Sequence, residues 1–87
     1  MISGAATVTG VATSTDVAQW MVDRIRANGC EDQEFFVREI GTRFGTEWDC
    51  FNNDHNRVMH PRVLRAFANL HGGTIEWERG NRRWCVV

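Results

Sequence analysis

Lysine is absent from the 87 residues, so every one of the ten fixed side-chain cations is an arginine. A guanidinium suits bidentate contacts with carboxylates and phosphates, and it stacks on aromatic rings. Genome base composition also produces such a bias, so the absence assigns no partner by itself. No stretch of eighteen apolar residues occurs, and the opening MISGAATVTGVATS has neither a basic start nor a leucine-rich centre. A membrane-spanning or secreted chain is therefore not expected. No CxxC spacing is present, and Cys30, Cys50 and Cys85 are odd in number. They cannot all pair within one chain, and the simplest expectation is reduced thiols in a cytoplasmic setting. Also missing are a glycine loop for phosphate, a Ser or Cys nucleophile in a known frame, and a prominent carboxylate pair. These gaps point away from an enzyme, and they leave no cofactor or metal to expect.

The residues that are present describe one small folded domain. The apolar share is 43% and includes four Trp and five Phe, which fits a globular chain with a single modest core. Residues 1–14, rich in Gly, Ala, Ser, Thr and Val, read as an N-terminal arm, and 15–87 as the domain. The formal charge of -1 conceals a division: residues 1–54 carry four Arg against nine acids, and residues 55–87 carry six Arg against two Glu.

Apolar spacing of 3.6 residues predicts three helices. The first opens at an Asp16 N-cap and stops at Asn28-Gly29, with Val17, Ala18, Met21, Val22 and Ile25 on its core face and Trp20 off it. The second runs from about Asp32 to Gly45 on Phe36, Val37, Ile40 and Phe44, with Phe35 displaced. Pro61, the only proline, suits the first turn of the third. That helix buries Val63, Leu64, Phe67 and Leu70, exposes Arg62, Arg65 and Asn69, and ends at His71-Gly72-Gly73. The last segment, TIEWERGNRRWCVV, predicts a hairpin closed by a two-residue primed turn at Gly80-Asn81, pairing Glu78 with Arg83, Trp77 with Trp84, Glu76 with Cys85 and Ile75 with Val86. The expected class is thus α+β, three helices and a C-terminal β-hairpin.

Between the second and third helices lies WDCFNNDHNRVMHP, with a cysteine, two histidines, two aspartates and three asparagines in fourteen residues. Zinc accepts Cys, His and carboxylate, which raises Cys50, His55 and His60 as ligands. Yet these are single residues on a segment that folds back on itself, with no second ligand pair at a recognised spacing. A nuclease of the His-Asn-His type needs separated elements around its metal, and here His55 and Asn56 are adjacent. The preferred reading is a connecting hairpin: Trp48–Phe51 as one strand, Asn52–Asn56 as a turn suited to Asn and Asp, and Arg57–Met59 as the return.

Taken together, DVAQWMVDRI, FFVREIGTRFG, VLRAFANL and IEWERGNRRW resemble a family of short, uncharacterised bacterial and phage proteins, over residue 16 to about 85. The resemblance implies a domain boundary and no activity. In those relatives the inter-helix segment looks like a hairpin around an Asn/Gly turn, and the His and Cys of this chain lie outside the shared pattern. Three helices followed by a hairpin also look like a winged helix, a fold that often sets its third helix in the DNA major groove. The long connection between the second and third helices departs from the tight turn of a helix-turn-helix.

Two functions follow. The first is nucleic-acid binding or regulation, with Arg62, Arg65 and Asn69 facing a groove while Arg79, Asn81 and Arg82 at the wing tip, with Arg57 nearby, contact phosphates. The alternative is a protein-binding module (a homodimer, an adaptor or a phage-type inhibitor of a host machine), using Trp20 and Phe35 as anchors beside opposite-charge patches.

Overall fold

The computed structural model describes residues 12–87, so the expected arm lies almost wholly outside the described residues. Helix α1 spans Ser14–Asn28 and is capped by Thr13, not Asp16. The Thr13 hydroxyl accepts from the Asp16 N–H at 3.1 Å, and the Asp16 carboxylate accepts from the Thr13 N–H at 2.9 Å. Asp16 is therefore the third helical residue of a capping box, three positions inside the true cap. The core face holds as expected: Val17, Ala18, Met21, Val22 and Ile25 are each 0–1% exposed. Its most extensive packing is against α3, Pro61–His71.

Gly29 ends α1 with a positive φ of 88° and turns the chain into strand β1, Cys30–Asp32, which the periodicity does not reveal. Helix α2 follows at once as Gln33–Phe44. A 3-10 turn, Thr46–Trp48, then leads into a small hairpin of β2, Cys50–Phe51, and β3, Arg57–Val58. The expected connecting hairpin is thus present, but Trp48 belongs to the turn before it. Trp48 and Met59 are buried, whereas Phe51 is 53% exposed.

Strands β4, Ile75–Glu78, and β5, Arg83–Val86, pair antiparallel in the expected register, all four residue pairs included. β1 adds to the far side of β5, giving a three-stranded sheet ordered β1-β5-β4. The class is α+β, three helices with a C-terminal hairpin. Phe36, Phe67 and Trp84 join helices to sheet through ring centroids 5.2–6.0 Å apart. Leu64 departs from the expected face of α3. Val63 and Phe67 are buried, but Leu64, about 100° around the helix from Val63, is 39% exposed.

The cysteines also depart from expectation. Cys30 and Cys85 stand directly opposite on β1 and β5 and form a disulfide with Cα atoms 4.0 Å apart. The Val86 N–H donates to the Gly29 carbonyl beside them, which makes Cys30–Cys85 a non-hydrogen-bonded pair, the kind that brings side chains closest. An odd count suggested reduced thiols; the fold pairs two and leaves Cys50 free and half-buried.

Candidate functional site

Helix α3 begins where its sequence directs. Pro61 takes the first position and the His60 ring nitrogen Nδ1 accepts from the Arg62 N–H at 3.1 Å, while left-handed Gly72 closes the other end. With Val63 and Phe67 drawn into the core, Arg62, Arg65 and Asn69 are exposed along one strip. They line a shallow depression of about 300 Å³ together with Ser14 and Thr15 at the start of α1. The Arg62 guanidinium lies 6.0 Å from the Trp48 ring.

The wing tip is built differently from the expected primed turn, which would require positive φ at Gly80. Gly80 has none; the left-handed residue is Arg82, at φ 53°. The Arg82 N–H donates to the Arg79 carbonyl at 3.2 Å, and the Arg82 carbonyl accepts from the N–H of Gln33 at 3.0 Å. Gln33 is the first residue of α2, and Asp32 before it supplies no side-chain cap. One of the helix donors that would otherwise lack a partner is therefore satisfied by the wing, which docks on α2. At the base of the tip the Glu78 carboxylate accepts from Asn81 and, at 2.7 Å, from Arg83. The Asn81 hydrogen bond first, and then that of Arg83, hold the Glu78 carboxyl below its ordinary value.

The sequence candidates thus fall into two groups. Arg62, Arg65 and Asn69 share the α3 depression, whereas Arg57, Asn81 and Arg82 converge on a separate groove of about 670 Å³. Its walls are the start of α2, the connecting hairpin and the wing tip. Arg79 is exposed at the tip and lines neither. Asn81 is already engaged with Glu78, and Arg57 pairs with Asp49 at 3.6 Å. Sequence reasoning missed Arg38, an exposed α2 residue on the same groove. It sits on the polar face of α2, and nothing in that face distinguishes it before the wing and hairpin are placed beside it.

Trp20 and Phe35 are half-buried and pack together, with ring centroids 6.1 Å apart. Trp20 also meets Phe36 and Phe44 at 5.4 and 5.6 Å. The Arg43 and Arg24 guanidiniums cover them, 5.0 Å from Trp20 and 4.3 Å from Phe35, at cation–π distance. These two aromatics thus serve as the α1–α2 contact. The larger exposed rings are Trp77, 41%, and Phe51, 53%.

In the connecting hairpin, Asn52 Oδ1 accepts from the N–H groups of Asp54 and Asn56 at 2.9 and 3.0 Å, and His55 takes the left-handed position at φ 66°. Asn and Asp chemistry here shapes the bend. His60 serves as the α3 cap. Among the described residues no three His, Cys, Asp or Glu side chains gather in a metal-binding group. Among them, too, no helix is long and apolar enough to cross a membrane.

A family model described as a family of unknown function (DUF6953) matches residues 13–86. No curated protein matches the chain, and no solved structure does.

Proposed function

We propose that this chain, which belongs to the DUF6953 family of unknown function, is a small non-enzymatic module that binds nucleic acid through α3 and its C-terminal wing. The observation that carries the reading is the distribution of ion pairs. Among the described residues the acids engage Arg24, Arg43, Arg57 and Arg83. Six exposed arginines have no carboxylate partner among the described residues: Arg62 and Arg65 on α3 and Arg79 and Arg82 on the wing, with Arg26 on α1 and Arg38 on α2. Unpaired guanidiniums on two neighbouring elements in sequence suit phosphate contacts and bidentate contacts to guanine.

The order of elements supports the same reading. The strand between the first two helices pairs with the last strand, giving β1-β5-β4, an order that suits the winged-helix reading. Residues 45–60 stand where a helix-turn-helix has a tight turn. The 3-10 turn and small hairpin fill that interval, and α3 still exposes its arginine strip. A fluorescence anisotropy titration with mixed duplex DNA and RNA, at several salt concentrations, tests the proposal. Each phosphate contact contributes about 0.9 to the slope of log affinity against log salt, so Arg65→Ala lowers both affinity and slope. No binding at about 100 µM, the weak end of ordinary non-specific association, overturns it.

A protein partner is the second reading, favoured by the exposure of Trp77 and Phe51 in a chain whose two halves differ in charge. Light scattering over a concentration series tests self-association, and Trp77→Ala would abolish it.

A further inference from the structure

The groove of about 670 Å³ falls within the size range of ligand sites, about 300–1,000 Å³, and its lining comes from three segments far apart in sequence. α2 contributes Arg38, the connecting hairpin contributes Arg57, and the wing tip contributes Arg82. Arg57 is partly committed to Asp49, but neither Arg38 nor Arg82 has a carboxylate partner among the described residues. Asn52 and Asn56 add donors from the hairpin wall. The Asn52 oxygen is already used within its turn, which leaves its amide nitrogen as the donor the side chain has to offer. Asp32 and Glu34 also line the groove, so with Arg57 paired to Asp49 the two uncommitted guanidiniums, Arg38 and Arg82, stand against two carboxylates.

Two features hold these walls in place before any ligand arrives. The Arg82 carbonyl is bonded to the Gln33 N–H, and the Cys30–Cys85 disulfide locks β1 to β5 three residues further along the strand. Arg82 occupies a left-handed conformation that Gly or Asn would adopt at lower cost. The turn geometry does not call for an arginine there, and its side chain lines the groove.

We infer that this groove is a site for phosphate groups, gripped by Arg38 and Arg82 and assisted by the amides of Asn52 and Asn56. The inference rests on the proposed function in naming the source of those phosphates, the backbone of a bound nucleic-acid strand. α3 and the groove then make two separate contacts with one ligand, and Arg38 joins the binding residues.

Two measurements test it. In the first, inorganic phosphate is titrated into ¹⁵N-labelled protein; the Arg38, Asn56 and Arg82 amides shift in the parent and do so less in Arg38→Ala. In the second, oligonucleotide affinity is measured against salt for the parent, Arg38→Ala, Arg82→Asn and Arg65→Ala. Arg38 is exposed on a helix and Asn tolerates left-handed φ, so both groove variants keep the fold. Each is expected to lower the salt slope by about 0.9. If Arg65→Ala weakens binding while both groove variants match the parent, the groove inference falls and nucleic-acid binding through α3 stands without the Arg82 contact. If no oligonucleotide binds but phosphate still shifts the groove amides, the proposed function falls and the anion site stands. Absence of both phosphate shifts and slope changes overturns the inference outright.

Discussion

Reducing the Cys30–Cys85 disulfide should cost this domain a large fraction of its stability. The bridge spans 55 residues of sequence, and in the chain-entropy description a closed loop of that length restricts the unfolded chain by ~14 cal/mol/K, or ~4 kcal/mol at 25 °C. Domains of this size unfold with roughly 0.05–0.15 kcal/mol per residue, so the loss is comparable to the lower end of the whole margin. At about 4–8 °C per kcal/mol for domains of 60–100 residues, the midpoint should fall by roughly 16–32 °C. The assay is urea unfolding followed by circular dichroism, for the oxidised chain, the chain in phosphine reductant, and a Cys30→Ser, Cys85→Ser double variant. The last two should coincide. Because the constraint acts on the unfolded chain, its removal should also raise the urea m-value, since a longer free chain exposes more surface. Free Cys50 provides an internal control, because Cys50→Ser should leave the response to reductant unchanged. A double variant within ~1 kcal/mol of the oxidised parent, with an unaltered m-value, would refute the reasoning; typical disulfides contribute ~2–4 kcal/mol.

Other perturbations probe the local devices. Arg82→Val places a β-branched residue at φ 53° and should destabilise the domain beyond the penalty that Arg82 already bears, about 1–2 kcal/mol for a left-handed L residue, whereas Arg82→Gly should not; equal stability of the two would disprove a left-handed residue there. Thr13→Ala removes the α1 cap and should cost about 0.5–2 kcal/mol by chemical denaturation, and Ser14→Ala should be far milder. Met21→Ala empties a site of 0% exposure and should cost about 2–5 kcal/mol; a neutral result would place Met21 outside the core. The Glu78 carboxyl is held below its ordinary 4.5, by the Asn81 hydrogen bond first and then Arg83. The fold therefore favours its charged form. The stabilisation is present above the ordinary value and is lost as pH falls through the lowered one. A carboxyl titration by NMR should show Asn81→Ala moving Glu78 back toward 4.5, and a parent that already titrates there would contradict the hydrogen bond.

Several features were legible because they depend on neighbours in sequence. The α1 stripe from Val17 to Ile25 follows from a 3.6-residue period. The β4–β5 register follows from alternation and from the opposed Glu78–Arg83 and Trp77–Trp84 pairs. The start of α3 follows from Pro61. Where the sequence reading slipped locally, competing chemistry explains it. Asp16 looked like a cap because capping boxes place an acid at the third position as well, and Gly80-Asn81 looked like a primed turn because the dipeptide suits one. Leu64 looked buried because a helix stripe has soft edges.

What the sequence by itself determined, then, is the helices, the C-terminal hairpin and the exposed arginine strip of α3, all products of short-range periodicity and pairing. Only the tertiary structure decided the rest. CED carries no alternation, and it becomes a strand because β5 offers it an open edge. Cys30 and Cys85 pair because that strand lays them opposite each other, across 55 residues that no spacing rule connects. Arg82 turns left-handed, caps α2 with its carbonyl, and brings the wing beside Arg38 and the connecting hairpin. The groove exists only in that arrangement, since contacts between distant segments are fixed by how elements pack and not by the pattern within any one of them.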